Sequence, residues 1–337
     1  MSEWYKNIGP EGDVVVSTRI RIARNIGKIP FPARMNGEHL SQVNDMVKRA
    51  VKAIGDDICG KLSIIDMNSV TEEETYAMVE RHIISPEFAQ NRRNKILVLS
   101  PDESVSIMVC EEDHVRIQVI KAGMALQEAF SFADKLDNAL NKELHFAFDS
   151  RFGFLTQCPT NLGTGLRASV MLHLPVIEGN GALNVISESA SKFGLTVRGL
   201  YGEGSKSSAS LYQLSNQITL GISEESALEN LKSIAMQIVM KERADREALN
   251  RIVVEDNVMR AYGILTNQRI LASDEMMQLI SRVKLGCAMG IIDNVDPATP
   301  IRLLIECQPF MLQKYNGTMS PDDRDITRGK IVRERLE

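Results

Sequence analysis

The stretch that decides the fold is KILVLSPDESVSIMVCEEDHVRIQVIKA, residues 95–122. It contains three strand-like runs, at 95–100, 104–110 and 114–122. Pro101-Asp102-Glu103 separates the first pair and Glu111-Glu112-Asp113 the second. Gaps this short make turns and cannot hold a crossover helix, so the three strands pair antiparallel.

Upstream, residues 13–21 read as a strand running into polar residues, with Arg19 and Arg21 two apart and therefore on one face. Residues 39–54 carry Leu40, Val43, Val47, Ala50, Val51 and Ile54 at helical spacing. A short apolar strand is expected at 61–67, and a capping box at Thr71-Glu72-Glu73-Glu74 opens a helix to about His82. Downstream, residues 124–142 form an amphipathic helix. Short strands follow near 144–149, 152–156, 166–173, 196–200, 209–215 and 217–221, interrupted by a helix at 182–193. Ser223-Glu224-Glu225 caps a helix to about Leu249, and Ser273-Asp274-Glu275 starts another. Strand signals nearly vanish in that last third. The class is α+β: a large antiparallel sheet flanked by helices over residues 1–254, then a helical C-terminal domain over 255–337.

Composition narrows the function. Hydrophobic residues make up 44% and charged residues 25%, and the formal net charge is -5, which argues against a general nucleic-acid grip. No apolar run reaches membrane-spanning length, and Met1-Ser2-Glu3-Trp4 has no secretory signal character. The cysteines, Cys59, Cys110, Cys158, Cys287 and Cys307, are odd in number and widely spaced, as suits a reducing cytoplasm. Histidine spacing gives no metal motif, so no metal held by protein ligands is expected.

The chemistry concentrates at QCPTNLGTGLRAS, residues 157–169. A proline after Cys158 favours an extended backbone, glycines permit close approach, and Arg167 supplies a cation. Five arginines, Arg19, Arg21, Arg116, Arg167 and Arg198, sit at strand ends or turns. Carboxylates stand at Glu111-Glu112-Asp113 and at Glu203. Guanidinium forks bind phosphate oxygens and stay charged, so the set suits a polyphosphate. The P-loop and the protein-kinase signatures are absent, so a nucleotide site here is built from arginines.

STRIR (17–21), EEDHVR (111–116), CPTNLGT (158–164) and VRG (197–199), with Glu203 five residues beyond Arg198, resemble the phosphagen (guanidino) kinases, the creatine and arginine kinases. The resemblance is closer to the bacterial protein-arginine kinases and spans nearly the whole chain. The first arginine motif starts too early for the small N-terminal domain of phosphagen kinases. Residues 200–204 and 215–221 look like the protein-arginine kinase versions, and RDITR (324–328) resembles that group's phosphoarginine-binding motif.

The resemblance implies a glutamine-synthetase-like catalytic domain that transfers the γ-phosphoryl of MgATP to a guanidinium. It implies Glu112 as base, Glu203 as the second carboxylate, and Cys158 as a substrate-positioning thiol. The five arginines become nucleotide-phosphate ligands, with Ser17, Thr18, Asn161, Gly163 and Thr164 as neighbours of the nucleotide loop. Mg²⁺ is held by the phosphates and water. Arg324, Asp325 and Arg328 become an allosteric phosphoarginine site. It also implies protein substrates, a homodimer, a cytoplasmic stress-response role, an activator protein and the Clp protease system.

Two residues depart from the pattern. Gly329 stands where alanine is expected and weakens the helix there. Lys206 stands where an acid is expected and bears on substrate choice. Two other readings stay open: a kinase for free arginine or another small guanidino compound, and a catalytically silent phosphoarginine-binding adaptor.

Overall fold

A computed structural model describes residues 3–56, 58, 60–199 and 208–337. The strands are β1 (Val15–Arg24), β2 (Ser63–Asp66), β3 (Ile96–Leu99), β4 (Val105–Val109), β5 (Val115–Ala122), β6 (Phe148–Asp149), β7 (Gly153–Phe154), β8 (Leu166–His173), β9 (Leu195–Gly199) and β10 (Leu211–Asn216). The helices α1 (Gly37–Ile54), α2 (Glu72–Glu80), α3 (Pro86–Gln90), α4 (Leu126–Leu144), α5 (Pro175–Gly179), α6 (Leu183–Lys192) and α7 (Glu224–Glu247) are interspersed with them. Then α8 (Arg251–Asn267), α9 (Ser273–Ala288), α10 (Thr299–Glu306), α11 (Pro309–Asn316) and α12 (Pro321–Leu336) close the chain.

Eight strands form one sheet in the order β2-β3-β4-β5-β1-β8-β10-β9, and each pairing is antiparallel. The hairpins β3-β4 and β4-β5 are the ones the short gaps require. β6 and β7 make a separate two-stranded ribbon.

Period-two alternation sorts the sheet into two faces. One carries Ile20, Ile22, Ile117, Val119, Leu166, Ala168, Val170 and Leu214, packed with Val43 and Val47 of α1, Leu136 and Leu140 of α4, and Leu231 of α7. The other face carries polar side chains in its centre. It meets a second core, in which Val16, Ile120 and Leu211 join Val258, Leu265, Met276, Ile280 and Leu303 of the C-terminal helices. The C-terminal helices therefore share their core with the sheet and with Trp4 and Tyr5 at the N-terminus.

Several expectations need correction. Residues 217–221 form no strand: Thr164 N donates to Thr219 O (3.0 Å), and Thr219 Oγ1 donates to Thr160 O and Leu162 O, so this segment cradles a loop. Helix α4 runs through Leu144, which leaves two residues of the strand expected at 144–149. Residues 254 and 255 lie inside α8, so a boundary there cuts a continuous helix. The break between α7 and α8 is at 248–250.

At the end of β1 the buried Arg24 donates through Nε (3.1 Å) and Nη2 (2.8 Å) to Asp137 Oδ2 of α4, and through Nη1 to Thr164 O. Its guanidinium lies 3.4 Å from the Phe154 ring centroid. Asp137→Ala should leave this cation buried and unpaired. The expected loss is about 3–5 kcal/mol of stability in equilibrium urea unfolding. A loss under about 1 kcal/mol would show that the pair is not a stabilising tie.

His173 is buried on β8, with Nε2 against Ser281 Oγ at 2.9 Å. Burial, with Lys284 and Arg246 nearby, holds it well below 6.5. A histidine kept neutral contributes its full stabilisation above pH 6.5 and loses it as pH falls below that, by about 1.4 kcal/mol per unit. Urea unfolding of His173→Gln should therefore weaken less between pH 6.5 and 5 than the parent does. Equal slopes would refute the buried neutral state.

Candidate active site

On β1 the side chains of Ser17, Arg19 and Arg21 alternate onto the polar face. Arg21 stands opposite Arg167 of β8 and Gln118 of β5, and Arg19 stands opposite Ser169. Arg116 lies opposite Ala23 on the same face, and Arg198 opposite Gln213. Directly opposed residues of an antiparallel pair share a face. The pairing register therefore gathers all five arginines on one surface.

The result is a cavity of about 900 Å³. The sheet contributes Arg19, Arg21, Arg116, Gln118, Met171 and Gln213 to its wall. The segment from α2 to α3 adds Glu80, His82 and Ser85, and the turn after β4 adds Glu111 and Glu112. Ser273, Asp274, Met277, Gln308 and Pro309 come from the C-terminal helices.

The cations crowd one another. Burial first, then Arg116 and Arg167, pushes Arg19 down to about 10. Arg21 is held well below its ordinary value by burial and by Arg19, Arg116 and Arg167, with Glu111 opposing. Burial, Arg198 and Arg116 lower Arg167, while Cys158 and Glu112 act the other way, so thiol and carboxylate lie within its reach. Arg21 Nε and Arg167 Nε are buried and have no hydrogen-bond partner among the described residues. A guanidinium stays charged in a protein. An arrangement this short of negative charge fits an anion with several oxygens, such as the triphosphate of a nucleotide.

The acidic turn is braced on every side. Cys110 takes a left-handed backbone (φ 59°) and closes the turn by Cys110 N donating to His114 O (2.9 Å). Burial opposes ionisation of Glu111, but Arg116, Ser85 and the Glu112 N–H outweigh it and hold its carboxyl below the usual range. Ser85 Oγ donates to Glu111 Oε1 at 2.6 Å, and Arg116 pairs with the same oxygen. Asp113 is buried and accepts from Asn25 Nδ2 (2.6 Å) and Gln157 N (2.7 Å). The turn is thereby fixed to the loop that bears Cys158.

That loop is shaped around Gly163. A Cβ there would fall 2.3 Å from Thr219 O, and its φ is +109°, so only glycine fits. Cys158 Sγ lies 3.0 Å from Thr160 Oγ1. Asn161 Nδ2 donates to Glu112 Oε2 at 3.3 Å, and Thr164 Oγ1 accepts from Leu166 N at 3.2 Å.

Not every expected neighbour reaches the cavity. Thr18 has the opposite parity to Arg19. It is buried with its Oγ1 donating to Gly123 O (2.6 Å) and accepting from Ala125 N (3.0 Å), so it braces the start of α4. Glu203 and Lys206 lie outside the described residues.

Arg328 is fully buried and donates to Cys307 O (2.9 Å) and Leu271 O (2.8 Å), and it pairs with Asp325. These two side chains pin α12 to its neighbours. Gly329 lets α12 approach closely: a Cβ would meet Gln268 Oε1 at 2.7 Å and Arg269 O at 3.0 Å. It thus serves tight packing.

The sequence reading missed His82, Met171, Gln213 and the C-terminal lining. Gln213 had a signal, a polar residue in an apolar strand, and Arg19 Nη2 donates to its Oε1. Glu80 receives the N–H groups of Phe310 (3.0 Å) and Met311 (2.7 Å) at the start of α11. Burial raises its pKa to about 7, with those N–H groups and Arg81 opposing.

Residues 42–245 match the family described as ATP:guanido phosphotransferase, C-terminal catalytic domain, and residues 251–337 match the protein-arginine kinase McsB C-terminal domain. The chain belongs to the ATP:guanido phosphotransferase family. Within it, the chain is 44% identical over 342 residues to the protein-arginine kinase of Brevibacillus brevis, covering 99% of this chain and 95% of that one. It is 45% identical over 340 residues to the protein-arginine kinase of Moorella thermoacetica, covering 99% and 97%. Among solved structures, lombricine kinase superposes with a TM-score of 0.63 at 22% identity, covering 72% of this chain and 70% of that one, a likeness of fold.

Asp113→Ala should detach the acidic turn from the Cys158 loop. The expected result is a fall in kcat/KM of about 10- to 100-fold, the scale set by ångström-level misplacement, with a far smaller change in melting temperature. Unchanged kcat/KM would mean that the two loops hold their positions independently.

Proposed function

We propose that the chain is an ATP-dependent protein-arginine kinase, transferring the γ-phosphoryl of ATP to arginine side chains of proteins. The observation that carries this reading is the single cavity in which the arginine cluster meets Glu112, with Cys158 within reach of Arg167. The full-length similarity to proteins of that name supports the choice of a protein substrate.

Arg19, Arg21, Arg116, Arg167 and Arg198 bind the phosphates and offset the charge on the group in transit. Glu112 holds the target guanidinium and takes its proton as nitrogen attacks. A P–N bond forms, the bond from Pγ to the ADP oxygen breaks, and the proton passes to Glu112. Cys158 aligns the guanidinium, Glu203 is assigned as the second carboxylate, and Ser17, Asn161, Gly163 and Thr164 shape the surroundings of the nucleotide. Among the described residues no group of three His, Cys, Asp or Glu side chains could hold a metal ion, which fits Mg²⁺ held by phosphate and water. When bound, that ion neutralises phosphate charge.

The wider reading includes a homodimer in the cytoplasm, a stress-response role, an activator protein, the Clp protease system, and a phosphoarginine site at Arg324, Asp325 and Arg328. The resemblance to protein-arginine kinases supports it. Of the three named side chains, Arg328 is buried in structural hydrogen bonds, which leaves Arg324 as the more available ligand. No helix among the described residues is long and apolar enough to cross a membrane.

Intact-mass analysis with MgATP should show an arginine-bearing protein gaining acid-labile increments of about 80 Da, the mass of one phosphoryl group, while free arginine does not react. Glu112→Gln should lower kcat about 10²- to 10⁴-fold and leave ATP affinity largely intact. Reaction of free arginine alone would establish a small-guanidino kinase. No reaction with either substrate would favour the adaptor.

A further inference from the structure

The cavity is larger than the arginine cluster, and its second end is built by the C-terminal helices. The reacting end lies at Glu111, Glu112 and Arg116. Along β1 from there come Arg21, then Arg19, then Ser17, on one face and about 7 Å apart at the spacing of alternate strand residues. Met171 and Gln213 stand in the same row as Ser17. A triphosphate laid from Glu112 along Arg21 and Arg19 therefore delivers its nucleoside to the Ser17-Met171-Gln213 row.

Facing that row across the cavity are His82 and residues of the C-terminal helices: Ser273, Asp274 and Met277 of α9, and Gln308. Met171 and Met277 offer two polarisable apolar surfaces, which suit the faces of a flat aromatic ring. Gln308 Nε2 donates to Leu304 O at 2.7 Å. Its Oε1 takes part in no hydrogen bond among the described residues and can accept from a ring-edge donor. Asp274 is exposed and its carboxylate makes no ion pair or hydrogen bond among the described residues. This end has the chemistry of a purine slot: apolar faces and acceptors for an exocyclic amino group.

The wall is held in place. Glu80, beside His82, receives the first N–H groups of α11, and Tyr76 stacks on Phe310 at 4.8 Å. Arg81 pairs with Glu74 and Glu103, and Lys314 of α11 also reaches Glu74. The cavity side of α2 and the C-terminal helices thus form one surface.

We propose that the helical C-terminal region is a nucleotide-binding element: Met277, Gln308 and Asp274 close the slot that receives the adenine base of the phosphoryl donor. The inference rests on the donor site assigned above and adds the residues that recognise the base.

Calorimetric titration of the full chain with MgATP and with magnesium tripolyphosphate separates the two ends without needing catalysis. Met277→Ala should weaken ATP about tenfold, the scale of lost apolar contact in a ligand pocket, and Asp274→Ala less. Both should leave tripolyphosphate within about twofold, since the phosphate end is untouched. In the parent protein, hydrogen exchange should slow over residues 273–280 and 304–310 with ATP and stay unchanged with tripolyphosphate. This second readout stands even where Met277→Ala fails to fold. Equal weakening of both ligands by Asp274→Ala, or equal protection by both, would overturn the proposal. If the parent binds tripolyphosphate and ATP equally, the base slot is refuted while the arginine site survives. If it binds neither, the donor site falls with it.

Discussion

The site depends on like charges that the sheet register forces together. β1 places Arg19 and Arg21 on one face, and its neighbours bring Arg116 and Arg167 against them. Two unit charges about 6 Å apart at an effective dielectric of about 20 repel by roughly 3 kcal/mol. Several such pairs amount to a large part of the ordinary net stability of a folded chain, about 5–15 kcal/mol. Among the cavity-lining carboxylates, Glu111 answers Arg116 directly, and Glu112 is engaged by Asn161. The opposite face, packed against α1, α4 and α7, is apolar throughout and supplies the rigidity against which this repulsion is held. A polyanion relieves the strain, so ligand binding and site stability act in the same direction.

Rigid strands alone do not place the reacting groups. Glu112 and Cys158 both sit on loops, and each loop is tied to something stiffer. Asp113 reaches Asn25 at the end of β1 and the backbone of Gln157, so one buried carboxylate fixes the acidic turn against the thiol loop. Thr219 and Gly163 set the other side of that loop. The carboxylate at 113 therefore positions, while its neighbour at 112 faces the cavity. Adjacent acidic residues take different parts because one is buried with donors and the other is left available.

Much of this was legible in the sequence where local physics governs. The three-residue gaps in 95–122 required antiparallel hairpins, and the two-residue spacing of Arg19 and Arg21 placed them on one face. The same parity argument sends Thr18 to the other face, where it caps α4. Residues 217–221 have strand composition, yet their backbone groups are used by the 160–164 loop, a long-range choice that no local pattern reveals. Arg328 looks like a ligand in a motif, but its burial comes from helices that meet only in the folded chain. Gly329, which costs helix propensity, is explained by its closeness to Gln268 and Arg269. Glu203 falls outside the described residues, so its assignment rests on the motif.

The C-terminal helices are the part whose role the sequence hid most completely. Read alone, they are a helical region attached to a catalytic sheet. Packed, they contribute Val258, Leu265, Met276 and Ile280 to a core that also holds Val16, Ile120 and Leu211 of the sheet. That shared core sits at the end of the polar face, where the arginines stop. It has to end somewhere, and it ends at Met277 and Gln308, which become the cavity wall. A region that buries its apolar side against the sheet is thereby obliged to present its next residues to whatever the sheet binds. Movement of α9 or α11 cannot leave the nucleotide end of the cavity unchanged, because Glu80 fastens that wall to the first turn of α11. The coupling between the two parts of the chain follows from packing and needs no separate linkage.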